Sequence, residues 1–212
     1  MIKIENVQTW GIEHAVRAAR NPLSSWSKSD SGYVASGEHY EDVDYVVGPN
    51  DLDLMKRLVK AGVEHRKCLR MIHVSMDITS NHTFWSQFDT YKVGVIRNSC
   101  SKMHSIHKRD FVLDDFTHEY TDKISLIEEH VLRTIGILNA LREKYNETGD
   151  RMYWRAMIDI LPMGYNLKAT VDMNYENVLN IIHQRTGHKL SEWETLIEEL
   201  KKLPYVEELL ND

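Results

Sequence analysis

Apolar positions along the chain follow two periods, and the elements can be read from where one gives way to the other. Residues 1–10 carry Ile2, Ile4 and Val7 among polar neighbours, which reads as a strand. Gly11 opens a short helix through Ile12, Ala15, Val16 and Ala19, which stops at Asn21-Pro22 because proline disfavours helix in the residue before it. Residues 23–50 are rich in Ser, Asp, Gly and Tyr and read as a long loop with one extended piece at Tyr45-Val46-Val47. Asn50 is a plausible N-cap for a helix through Leu52, Met55, Leu58 and Val59 that ends at Gly62. Residues 69–79 alternate as a strand, and residues 82–92 return to helix with Phe84, Trp85 and Phe88 on one face. Residues 93–107 lack strong periodicity. A long helix over 121–147 carries one stripe of Ile124, Ile127, Val131, Ile135, Leu138 and Leu141. Another covers 151–160 and ends at Leu161-Pro162; residues 164–172 read as extended, and helices follow over 174–184 and 191–201. The pattern is α+β with helix dominant, read as one domain over residues 1–212.

Composition narrows the class. A hydrophobic fraction of 42% with 27% charged residues excludes global disorder. No run approaches the roughly 18–20 apolar residues of a membrane span, and the start, Met-Ile-Lys-Ile-Glu-Asn, has no apolar signal core. A formal charge of -6 argues against nonspecific nucleic-acid binding, which runs on basic surface. Two cysteines, Cys68 and Cys100, make no disulfide framework and fit free thiols in a reducing cytoplasm.

Four constellations could carry chemistry. Arg17 and Arg20, three apart on a helix, could hold a phosphate, although a solvated basic face gives the same spacing. Asn98-Ser99-Cys100-Ser101-Lys102-Met103-His104 packs small polar groups, a thiol, a cation and an imidazole, in the manner of an anion-binding turn or of a plain polar one. His104, His107, Asp110, Asp114, Asp115 and His118 offer metal-ligand types, but no HExxH or CxxC spacing supports a metal and a charged surface accounts for them. In the C-terminal part stand Leu161-Pro162, Lys168, Asn174, Asn180 and Arg185. Asn174 suits an N-cap, whereas Asn180, amid Val178, Leu179, Ile181 and Ile182, must find partners for its amide.

These residues resemble the flavin-dependent thymidylate synthases. Ala15-Val16-Arg17-Ala18-Ala19-Arg20 is similar to that family's N-terminal helix, and residues 51–79, through His73-Val74, to its following helix and strand. Asn98-x-x-Ser101 looks like the end of the family signature RHRxxSxNxxSxRY. Leu161-Pro162, Lys168, Asn174, Asn180 and Arg185 keep the family's C-terminal spacing without a gap. The chain departs from the pattern at the RHR triplet. Counting back from Asn98 places Tyr91-Lys92-Val93 there; with a nearby gap, Phe88-Asp89-Thr90-Tyr91-Lys92 is the substitute. Met103 replaces the signature's last Arg.

The resemblance implies a twisted sheet flanked by helices, with helical bundles, in a homotetramer whose active sites form between subunits. It implies FAD as cofactor, NADPH and methylenetetrahydrofolate as co-substrates, and dUMP or a close pyrimidine nucleotide methylated at C5. It implies nucleotide contacts for Arg17, Arg20, Ser101, Lys102, Lys168 and Arg185, with Lys168 where the family has a phosphate-binding Arg. Cofactor contacts fall on His73, Asn98, Asn174, Asn180 and His188. Ser101 would orient the nucleotide rather than attack it, and Lys92, Lys102 or His104 would stand in for the missing arginines. The altered signature also leaves room for C5 hydroxymethylation of another uracil nucleotide, or for an inactive nucleotide-binding scaffold.

Overall fold

The computed structural model describes residues 2–37, 43–117, 119–120 and 123–210. Among them the chain forms strands β1 (Lys3–Trp10), β2 (Gly32–Ala35), β3 (Val43–Val46), β4 (His73–Asn81), β5 (Val95–Ser99) and β6 (Asn166–Asn174). The helices are α1 (Ile12–Arg20), α2 (Pro49–Lys60), α3 (His82–Phe88), α4 (Lys102–Ser105), α5 (Ser125–Thr148), α6 (Arg151–Ile160), α7 (Tyr175–Arg185), α8 (Ser191–Lys201) and α9 (Val206–Leu210). A four-stranded sheet runs in the order β1-β4-β6-β5, and β2 pairs antiparallel with β3. This is the α+β architecture expected from the sequence. Among the described residues no helix is long and apolar enough to cross a membrane.

The chain divides into two compact units. The first comprises Met1–Glu5, Asp77–Thr90 and Arg97–Thr170; the second comprises Asn6–Met76, Tyr91–Ile96 and Val171–Asp212.

In the first unit, α5 and α6 form a helical hairpin. Gly149, at φ 68°, ends α5 in the left-handed conformation, and the Asp150 carboxylate accepts the Met152 N–H to start α6. Their shared core holds Leu138 and Met157 with Ile106, Phe111 and Phe116. The apolar stripe of α5 is only half used. Ile135 and Leu141 pack against that core, whereas Ile124 and Ile127 are exposed. Length explains this: ten residues of α6 span about 15 Å, against about 36 Å for the 24 of α5.

In the second unit, α1 packs on α2 and on the 3-10 segment Lys67–Met71, and α7, α8 and α9 pack on one another. Gly11 precedes α1 at φ 90°, and a side chain there would run into the Met71 carbonyl. The start of α2 differs from expectation. Gly48 rather than Asn50 is the N-cap, and Pro49 takes the first helical position, where its missing N–H costs nothing. The Asn50 and Asp51 N–H groups donate to the Asp30 carboxylate, so the cap comes from the preceding loop. That loop is more ordered than its composition predicts. It carries a one-turn segment at Trp26–Lys28 and the β2–β3 pair, and it closes over Asp51.

Candidate functional site

The residues singled out in the sequence fall into two groups, one in each unit. In the second unit, β4 and β6 are neighbours and bring His73 against Asp172. His73 Nδ1 lies 3.0 Å from Asp172 Oδ1, and Ser75 Oγ donates to Asp172 Oδ2 at 2.8 Å. A carboxylate only accepts, so the His73 proton sits on Nδ1 and Nε2 of the neutral ring is an acceptor. Trp10 stacks on the imidazole with the rings 9° from parallel.

Asn174 and Asn177 form a reciprocal cap at the start of α7. The Asn177 N–H donates to Asn174 Oδ1 at 3.1 Å, and Asn177 Nδ2 donates to the Val93 carbonyl at 2.9 Å. Asn174 is therefore a buried cap, the role its position before a helix predicts. Asn180 finds the partner its surroundings require in Arg66, whose Nη2 donates to Asn180 Oδ1 at 3.0 Å. A guanidinium only donates, so this bond fixes the amide's orientation and turns its oxygen to Arg66. Arg66 and Arg70 both pair with Glu176. Burial would raise the Glu176 carboxyl, but hydrogen bonds from Arg70 and Arg66 outweigh it and hold it low.

Arg185, at the end of α7, lies against two rings that also touch each other. Its guanidinium carbon is 4.5 Å from the Trp193 ring centre and 5.5 Å from that of Tyr91, and its Nε–H donates to Tyr91 Oη at 2.9 Å. His188 Nδ1 accepts the Leu190 N–H at 3.1 Å, which places the ring proton of the neutral form on Nε2. Lys92 is exposed in the turn beside Tyr91. The two arginines of α1 do not act as a pair. Arg17 is exposed, whereas Arg20 is buried and donates to Asp51 at 2.6 Å, so the predicted shared face is absent and the Arg20 charge is already matched.

In the first unit, Asn98 lies exposed on β5, and Ser101, also exposed, precedes α4. Lys102 Nζ is 2.9 Å from His82 Nε2. Burial lowers the Lys102 pKa; burial and then the charges of Lys102 and Arg97 lower that of His82. Lys168 is flanked by Glu5 at 3.3 Å and Asp77 at 3.1 Å, whose hydrogen bonds raise its pKa. A phosphate approaching this cation would meet the negative charge of two carboxylates beside it. A cavity of about 250 Å³ lies nearby, lined in part by Cys100, Arg109, Asp114, Tyr165 and Lys168. Of the expected acidic and histidine run, His118 lies outside the described residues.

The chain is similar to two solved structures of flavin-dependent thymidylate synthase ThyX from Helicobacter pylori, each with FAD and dUMP. One matches with a TM-score of 0.69 at 16% identity over 98% of this chain and 97% of that one. The other has a TM-score of 0.66 at 16% identity, over 99% and 97%. The fold is that of ThyX. No family model matches the chain, and no curated protein matches it significantly in sequence.

Within this ThyX fold, the sequence pattern missed the partners that fix the singled-out residues. Arg66 and Asp172 have no motif of their own. Tyr91 and Trp193 carried a signal of a kind, since an aromatic replaces an expected Arg at one position and flanks the C-terminal spacing at the other.

Proposed function

We propose that the chain is a divergent flavin-dependent thymidylate synthase acting on dUMP or a close pyrimidine nucleotide, with methylenetetrahydrofolate as carbon donor and NADPH as reductant. The observation that carries this reading is the ungapped run from Leu161-Pro162 through Asn174, Asn180 and Arg185, in a chain that shares the ThyX fold over nearly its whole length.

The donor set is compatible with a flavin, whose ring edge presents carbonyl oxygens and one N–H. The Asn180 amide, with its oxygen held by Arg66, presents N–H donors. His188 presents Nε2–H, and His73 presents an Nε2 acceptor whose tautomer Asp172 sets. When bound, the reduced flavin supplies the hydride that completes a methyl group from the transferred methylene carbon. This chain's part is to bind and orient. Arg185 holds the nucleotide, Ser101 and Lys102 orient it, and the uracil is polarised by its contacts, so no thiol nucleophile is needed. Asn174 acts in this reading through α7, as its cap. A homotetramer belongs to the same reading, supported by the exposed Leu126, Ile127 and Leu132 along the first half of α5.

The test is a titration of purified protein with FAD, followed by product mass after incubation with dUMP and the co-substrates. A bound visible flavin band and a product heavier than dUMP by one CH2, a methyl group in place of the C5 hydrogen, are expected. Protein that stays colourless at saturating FAD would overturn the reading. A hydroxymethylated product would instead favour the related C5 activity. One observation favours a second reading, a nucleotide-binding relative without the reaction: Lys168 is held between Glu5 and Asp77 where the family has a phosphate-binding Arg. Nucleotide binding without turnover would select it.

A further inference from the structure

Tyr91 stands, by direct count from Asn98, where the family signature has its first arginine. Its surroundings give it a different task. The Tyr91 hydroxyl donates its one proton to Gln184 Oε1 at 3.1 Å and accepts the Arg185 Nε–H at 2.9 Å. Trp193 lies 4.5 Å from the guanidinium carbon, and its ring meets that of Tyr91 edge-on, 6.0 Å apart at 61°. Both distances from the guanidinium to a ring centre fall within the roughly 6 Å over which a cation is attracted to an aromatic face. The arginine thus lies against two rings and donates one bond from Nε to the hydroxyl of the first. An arginine at position 91 would set a second positive charge beside the first; a tyrosine there removes that repulsion and supplies an acceptor.

We propose that Tyr91 is a positioning residue for nucleotide binding, acting through Arg185. The inference rests on the reading above, in which Arg185 holds the nucleotide. Its physical basis is preorganisation. A long side chain loses rotamer freedom when it engages a ligand, and a guanidinium already fixed by Tyr91 and Trp193 loses less. The Gln184–Tyr91–Arg185 chain of hydrogen bonds sets the rotation about the last bonds of the arginine, which ring contact alone would leave loose.

The experiment is a double-mutant cycle on dUMP affinity, measured by titration calorimetry with the full chain. Tyr91→Phe keeps the ring and removes only the hydroxyl. It is expected to weaken dUMP binding about tenfold, the size of one modest hydrogen-bond contribution. In an Arg185→Ala background the same change is expected to do nothing further. A purely structural Tyr91 would lower the melting temperature and leave the affinity of the folded protein unmoved. Gln184→Ala, on an exposed position, provides the second variant and is expected to weaken binding two- to threefold by releasing the hydroxyl proton. Unchanged dUMP affinity in both variants, or Tyr91 and Arg185 effects that add independently, would overturn the positioning role. Wild-type protein that binds no dUMP would overturn the proposed function itself and this role with it.

Discussion

Asp51→Ala is expected to destabilise the protein by about 3–5 kcal/mol at neutral pH, the usual result of breaking a buried ion pair from one side. The side chains of Arg20 and Asp51 are 9% and 1% exposed, so removing the carboxylate leaves a guanidinium with little water to replace it. The loss reaches beyond the pair. Asp51 Oδ2 accepts from the hydroxyls of Ser29 and Ser31 and from the N–H groups of Asp30 and Ser31, while Asp30 in turn caps α2. One carboxylate therefore organises a loop, a helix start and the end of α1.

The same site sets a pH dependence with a defined sign. Burial would raise the Asp51 carboxyl, but the hydrogen bonds from Ser29, Ser31 and Arg20 outweigh it and bring it from its ordinary 3.8 down to about 2. A carboxyl whose folded pKa is depressed stabilises the fold above its unfolded value and loses that contribution as pH falls through the folded one. Roughly 2 kcal/mol should thus disappear between about pH 4 and pH 2. Urea midpoints on either side of this window check it. Asp51→Asn should be flatter across the window than the wild type, and an equal slope in the two proteins would mean that another group titrates.

What the sequence makes legible here depends on range. α7 could be read because its cap, Asn174, and its apolar positions lie within one short segment. β5 could not, since Arg97, Asn98 and Ser99 interrupt any apolar alternation and none of its five residues is buried. Residues 69–71 mimic a strand because Leu69 and Met71 alternate with Arg70, yet they are out of phase with the buried Val74, Met76 and Ile78 of β4 and belong to a 3-10 turn. The candidate site divides in the same way. Spacing along one segment pointed to Asn180 and Arg185. Their partners are 114 and 94 residues away, in Arg66 and Tyr91, and nothing local marks a residue as the partner of another so distant. His73 and Asp172 are 99 residues apart and meet because β4 and β6 are neighbours in the sheet, an order the sequence does not declare. Arg20 shows the converse. Three-residue spacing from Arg17 predicted a shared basic face, but the burial that α1 imposes on one side of itself separates the two.

Gly94→Ala is expected to cost about 2–4 kcal/mol, more than most changes at a surface turn. Gly94 has φ 75°, and placing a side chain in that left-handed region costs about 1–2 kcal/mol. The added methyl would also lie 2.5 Å from Asn174 Nδ2 and 3.1 Å from Asn177 Oδ1, the two side chains that cap α7. Displacing them adds about 1 kcal/mol for a lost cap. It also loosens the Asn177 bond to the Val93 carbonyl, which ties the turn to the helix. A cycle with Asn174→Gly separates the two terms, because glycine is a tolerable cap and removes the nearest clash. In that background Gly94→Ala should cost only the backbone part, about 1–2 kcal/mol. Equal cost in both backgrounds, measured by urea unfolding, would show that the turn does not bear on the cap as described. The consequence for function follows from what α7 carries. Asn180 and Arg185 ride on the helix whose first turn Gly94 abuts, so under the proposed function a folded Gly94→Ala protein should bind dUMP more weakly even where both of those side chains are intact.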